Sequence, residues 1–69
     1  MKEQIFEFIR SYVQAHGYGP SVRDIVAATE ARSTSTIHYH MRRLRAEGRI
    51  TYEDHLARTV RITKEDNSE

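Results

Sequence analysis

The fold is decided by residues 21–47, which read SVRDIVAATEARSTSTIHYHMRRLRAE. Two runs of apolar residues at helical spacing lie in this stretch, and a short polar segment separates them. The first run predicts a short helix over about residues 21–29. Its predicted buried stripe consists of Val22, Ile25, Val26 and Thr29. Ser21 and Asp24 have the spacing of a capping box at the start of this helix.

The second run predicts a longer helix that follows a tight turn at residues 30–33. Ser33 is a good N-cap for it, and we expect the helix to end near Glu47, before Gly48. Its core-facing residues recur at i, i+4 and i+7, as one helix face requires. They are Ile37, Met41 and Leu44.

Upstream, residues 2–16 carry a third helical pattern. Its apolar face is formed by Ile5, Phe6, Phe8, Ile9, Tyr12 and Val13. Gly17 and Pro20 end this helix, because glycine tolerates a left-handed turn and proline cannot continue a helix. We expect Tyr12, Tyr18 and Tyr52 to lie in the core or at its edge.

Downstream, residues 50–53 and 58–63 alternate apolar and polar side chains, which predicts two strands joined by the polar turn 54–57. The order is therefore helix, helix, turn, helix and β-hairpin. It predicts a mainly α fold with a small β-hairpin, a three-helix winged helix-turn-helix over residues 1–63. Residues 64–69 contain no apolar side chain and are expected to form a disordered acidic tail or the start of a linker.

The length and composition of the chain limit the functions that it can have. Its 69 residues allow one domain, and the absence of cysteine excludes a disulfide framework or a Cys-based zinc site. No run approaches the roughly 20 apolar residues of a membrane span, and the first residues do not resemble a signal peptide. These observations predict a soluble intracellular protein, and the absence of cysteine suits a reducing cytosol.

The net charge of +1 conceals an uneven distribution. Residues 32–49 contain five arginines against one glutamate, a net charge of +4. Residues 64–69 contain one lysine against three acids, a net charge of −2. A locally basic helix followed by an acidic tail favours a polyanionic partner for the helix.

The first half of the third helix carries the predicted DNA-reading side chains. In a helix-turn-helix this half enters the major groove, while basic residues near it meet phosphates. The candidate base-reading residues are Ser35, Thr36, His38 and Tyr39. The candidate phosphate-contacting residues are Ser21, Ser33, Arg42, Arg43, Arg45 and Arg58. At the wing tip, His55 is a further candidate for an adjacent phosphate or the minor groove.

Other interpretations of these residues are simpler. A basic helix face often does no more than keep a protein soluble, and Ser21 and Ser33 are satisfied as caps alone. His38 and His40 point about 200° apart on a helix and cannot share an ion. We therefore expect no metal and no cofactor. No nucleophile with a base at a recognisable spacing is present, which predicts that the chain is not an enzyme.

Three segments carry a family resemblance. Residues 17–25 (GYGPSVRDI), residues 33–44 (STSTIHYHMRRL) and the pattern around Gly48, Ile50 and Arg58 resemble the N-terminal DNA-binding domain of LexA repressors. The likeness covers nearly all of residues 2–63. It implies a transcriptional repressor of DNA-damage-response genes that binds an inverted-repeat operator as a dimer, with Arg58 as the wing arginine.

The chain departs from the family pattern in three ways. It contains neither the Ser/Lys dyad nor the Ala-Gly bond of the self-cleaving peptidase domain, which predicts an excised domain or a stand-alone protein. Glu30 stands where the turn usually has glycine, so we expect a different turn geometry. Ala31 stands where a large aliphatic residue is common, which predicts a less well packed corner.

Two other functions stay open from the sequence. A winged helix can bind a protein partner instead of DNA. The same basic helix could also bind DNA or RNA without sequence preference.

Overall fold

A computed structural model describes residues 1–53 and 58–63. It contains three helices, α1 (Lys2–His16), α2 (Val22–Ala28) and α3 (Thr34–Ala46). Two short strands, β1 (Ile50–Thr51) and β2 (Arg61–Ile62), follow them. The predicted order of a three-helix winged helix-turn-helix is confirmed. The predicted turn 54–57 and tail 64–69 lie outside the described residues, as does His55.

Local sequence signals set the helix ends. Gly17 has φ 82°, and its N–H donates to the Val13 carbonyl at the end of α1. The Ser21 hydroxyl accepts from the Asp24 N–H at 3.1 Å, and Asp24 accepts from the Ser21 N–H at 3.0 Å. The predicted capping box at the start of α2 is thus present.

The turn between α2 and α3 forms without a glycine. The Thr29 hydroxyl donates to the Ile25 carbonyl at 2.9 Å and accepts from the Ala31 N–H at 3.3 Å. Arg58 is the only non-glycine residue with a positive φ among the described residues, so Glu30 is not left-handed. A side-chain hydroxyl therefore closes the turn, and Glu30 carries no left-handed strain. Ala31 is half-buried and packs against the core.

All three helices and the hairpin contribute to one core. Its buried residues are Ile5, Phe6, Ile9, Ile25, Ile37, Met41, Leu44, Ile50 and Val60. The predicted inner residues of α3 are all among them. In α2, which has seven residues, only Ile25 is buried, and Val22 and Val26 lie at the edge of the core. Tyr18 was wrongly placed at the core, since it is 49% exposed.

The strands are shorter than the sequence predicts. They pair antiparallel, with Ile50 opposite Ile62 and Thr51 opposite Arg61. Beyond this pair a side chain replaces the backbone ladder, because the Glu53 N–H donates to the Thr59 hydroxyl at 2.9 Å. We call the hairpin, residues 50–53 and 58–63 as described, the wing.

The wing packs closely against the segment between α1 and α2. A Cβ added at Gly19 would lie 2.4 Å from Val60 Cγ1 and 2.5 Å from the Val60 carbonyl oxygen. Only glycine allows so close an approach of two backbones. No helix among the described residues is long and apolar enough to cross a membrane.

Candidate nucleic-acid interface

The two sides of α3 differ sharply in exposure. Ile37, Met41 and Leu44 are buried on one side. On the opposite side lie the exposed residues that we call the outer face of α3: Ser35, His38, Tyr39, Arg42 and Arg43. They share one stripe because residues three and four apart are neighbours on a helix. Tyr39 is 51% exposed, so a ligand can reach its ring.

The outer face contains three of the four predicted base-reading residues. Ser35, His38 and Tyr39 are exposed, whereas Thr36 is half-buried at the border between the two sides of α3. His40 lies on another side of the helix and is half-buried. Burial, followed by nearby positive charge, lowers the pKa of His40, so this imidazole is neutral near pH 7.

The N-terminus of α3 is open. Ser33 occupies the N-cap position with extended backbone, as predicted, but its side chain makes no capping hydrogen bond. Ser33, Thr34 and Ser35 are all exposed. The first N–H groups of a helix lack partners within the helix and favour anionic oxygen atoms. This end of α3 therefore offers hydroxyl and backbone donors together. Ser21 differs, since its hydroxyl oxygen already caps α2.

The three arginines of α3 have different surroundings. Arg42 is exposed and forms no ion pair with any described residue. Arg43 lies over the Tyr39 ring, with 5.8 Å between its guanidinium carbon and the ring centre. Arg45 stacks on Tyr52 at 4.2 Å and donates to the Tyr52 carbonyl at 3.3 Å. Arg45 thus connects α3 to the wing.

The Arg58 side chain binds two other side chains within the protein. One nitrogen of its guanidinium lies 3.0 Å from an Asp24 carboxylate oxygen and donates to the Tyr12 hydroxyl at 2.9 Å. The sequence-based assignment of Arg45 and Arg58 to phosphates stays a prediction. In this structure both arginines have partners inside the protein, and a phosphate would have to compete with those partners.

A groove separates α3 from the wing. Its volume is about 690 Å³. Its walls include the start of α2, one side of α3, residues 52–53 after β1 and residues 58–60 before β2. Four arginines line it: Arg23, Arg42, Arg45 and Arg58. Arg23 is exposed and forms no ion pair with a described residue. The sequence reasoning missed Arg23, although its place between the two capping-box residues Ser21 and Asp24 could have indicated a position at the start of α2.

Arg32 and Arg61 were missed in the same way. Both are exposed, and neither forms an ion pair with a residue in the ranges 1–53 and 58–63. Arg32 lies in the turn before α3, and Arg61 lies on β2. Their charge was visible in the sequence, but their freedom from acidic partners depends on the fold.

Comparison with known proteins identifies the family. A model of the LexA DNA binding domain matches residues 2–59, most of the chain. The chain belongs to the LexA DNA-binding domain family. A LexA repressor of Clostridium tetani is 43% identical over 61 residues, which are 88% of this chain and 30% of that protein.

Two further relatives agree with this membership. A LexA repressor of Caldicellulosiruptor saccharolyticus is 40% identical over 65 residues, which are 94% of this chain and 32% of that protein. One of Clostridium botulinum is 36% identical over 61 residues, with coverage of 88% and 30%. The chain thus spans about a third of the length of these LexA repressors, and it corresponds to their DNA-binding part.

Proposed function

We propose that this domain binds double-stranded DNA sequence-specifically and acts as a transcriptional repressor of the LexA type in the SOS response. The observation that carries the proposal is the outer face of α3. It is exposed and polar, it stands opposite a fully apolar inner face, and it belongs to a LexA-family domain. No catalytic step is assigned to the chain.

Base reading would come from the first half of α3. Ser35 and Thr36 can donate or accept hydrogen bonds at base edges, and the threonine methyl can contact a thymine methyl. His38 and Tyr39 extend the same surface by one turn. Tyr39 is 51% exposed and has the largest side chain of this set, so we expect its removal to change sequence preference most.

Phosphate contacts would flank the reading residues. Ser33 and the open N-terminus of α3 supply hydrogen-bond donors. Arg42 and Arg43 lie on the outer face further along α3, where the helix leaves the major groove. Arg23 lines the same groove as Arg42 and is a further candidate for a phosphate contact. We keep Ser21 and Arg45 as secondary candidates, because each has partners within the protein.

Two copies would bind one operator. A single α3 reads one half-site, and a half-site interface of about 600–1,000 Å² favours weak binding by one copy. We propose that two copies occupy an inverted repeat as a homodimer on the DNA. An inverted repeat bound no more tightly than a single intact half-site would contradict this.

The first test is fluorescence anisotropy with a labelled LexA-type inverted repeat and a scrambled duplex of equal length, at two salt concentrations. We expect preference for the inverted repeat at both concentrations, because base contacts are less salt-dependent than phosphate contacts. Equal and strongly salt-dependent binding to both duplexes would instead indicate a non-specific nucleic-acid binder. No binding to either duplex would favour the protein-interaction alternative.

A further inference from the structure

We infer that Arg58 is a positioning residue, which fixes the wing to α1 and α2, rather than a ligand of DNA phosphate. The inference rests on the proposed DNA-binding function and assigns the wing arginine a different role within it. Its basis is a tie between elements that are distant in the chain. Arg58 precedes β2, Asp24 lies in α2 and Tyr12 lies in α1.

Arg58 makes two polar contacts and one ring contact with these elements. A single nitrogen approaches Asp24 at 3.0 Å and the Tyr12 hydroxyl at 2.9 Å. The guanidinium carbon also lies 5.6 Å from the centre of the Tyr18 ring, which belongs to the segment between α1 and α2. Arg58 therefore contacts both helices and the segment that joins them.

Asp24 is itself held in place. Its carboxylate accepts from the Ser21 N–H in the capping box, so the partner of Arg58 cannot turn away without breaking one of the two hydrogen bonds of that box. The Ser21 backbone N–H is the main cause of a lowered Asp24 pKa, and Arg58 adds to it. If Arg58 turned towards a phosphate, it would leave an ionised carboxylate at the DNA-facing end of α2. Like charges would then repel each other across the interface.

The backbone also indicates a fixed position for Arg58. Its φ of 63° lies in the left-handed region, which no other described non-glycine residue adopts. A side chain in that region costs free energy that surrounding contacts must offset. Val60, two residues later, is fixed independently by its close approach to Gly19. Two contacts thus hold the start of β2 against the helices and set the direction of the wing.

The two roles predict different salt dependence. A phosphate ligand contributes about 0.9 to the slope of log affinity against log salt, whereas a positioning residue contributes to affinity without adding to the slope. Asp24 gives a second contrast. If Arg58 is a phosphate ligand, neutralising Asp24 should strengthen DNA binding, because it releases Arg58 and removes a negative charge. If Arg58 is a positioning residue, the same change should weaken binding.

The experiment compares Arg58→Gln, Asp24→Asn and the double variant with the wild type on the inverted repeat at several salt concentrations. Asn retains an oxygen that can accept the Ser21 N–H, so α2 stays capped. We expect each single variant to bind several-fold more weakly with an unchanged salt slope, and the double variant to bind as weakly as either one. A slope that falls by about one in Arg58→Gln, or tighter binding by Asp24→Asn, would overturn the inference.

A measurement without DNA separates this inference from the proposed function. Hydrogen exchange at the N–H groups of Glu53 and Thr63 reports on the wing, since they bond to Thr59 and Arg49. We expect faster exchange there in Arg58→Gln and Asp24→Asn, with α1 and α3 unchanged. Arg61→Gln is the control, because it removes one positive charge from the wing but leaves the contacts of Arg58 with Asp24 and Tyr12 in place. Unchanged wing exchange in Arg58→Gln would overturn the inference even if DNA binding were confirmed.

Discussion

The inner and outer faces of α3 use the same thirteen-residue helix for opposite purposes. The inner face is buried among residues of α1, α2 and the wing, and it fixes the helix in the domain. The five residues of the outer face are all exposed, and Tyr39 is 51% exposed. The difference in burial leads us to expect that stability and recognition depend on separate residues one or two positions apart. Substitutions should therefore separate them experimentally.

The largest expected effect is on the inner face. Ile37→Ala removes a fully buried side chain, and we expect it to lower the free energy of unfolding by about 2–5 kcal/mol. Urea denaturation measures the change. In a domain of this size such a loss is a large part of the total stability. A destabilisation as small as that of an exposed substitution would show that the core had been assigned wrongly.

Tyr39→Ala tests the outer face of the same helix. We expect it to weaken binding to the inverted repeat by about 1–3 kcal/mol and to change stability by no more than about 0.5 kcal/mol. Binding to the scrambled duplex should change little, because that duplex lacks the bases that Tyr39 would read. If the ratio of the two affinities stays at the wild-type value, Tyr39 does not read sequence.

Arg42→Ala is expected to act equally on both duplexes. Arg42 has no ion-pair partner among residues 1–53 and 58–63, so we expect the salt slope to fall by about 0.9, the contribution of one phosphate contact. Arg10→Ala is the matched control, since Arg10 is paired with Glu7 on α1 and lies away from α3's outer face. A loss of slope in both variants would mean that overall charge, and not a contact by Arg42, sets the salt dependence.

The smallest effect is expected where α3 and the wing meet α1. Arg49 donates to both Glu3 carboxylate oxygens at 2.8 Å, which lowers the pKa of Glu3. Because Glu3 is 62% exposed, Glu3→Gln should cost less than about 1 kcal/mol.

This cost has a defined pH dependence. A carboxyl group with a lowered folded-state pKa stabilises the protein above its unfolded pKa, near 4.5 for Glu3, and the benefit is lost as the pH falls through the folded value. Urea denaturation of wild type and Glu3→Gln at pH 7 and at pH 3 measures this difference. A difference that is as large at pH 3 as at pH 7 would exclude the ion pair as its source.

Much of the fold could be predicted because its signals are local. The period of Ile37, Met41 and Leu44 shows which side of α3 is buried, and Ser21 with Asp24 marks the start of α2. The turn at Thr29 was harder to predict, because a hydroxyl that bonds two backbone groups takes the place of the expected glycine. The wing was predicted too long, since Thr59 bonds Glu53 through its side chain and shortens the ladder.

The sequence by itself determined the three helices, the two faces of α3 and the basic character of its surface. These properties follow from spacing within one or two helical turns and from residue type. Only the tertiary structure decided which arginines are free. Arg49 meets Glu3, and Arg58 meets Tyr12, each across 46 residues of chain, whereas Arg23 and Arg42 have no acidic partner among the described residues. Charge is a property of a residue, but its neutralisation depends on which distant residues the fold brings within a few ångströms.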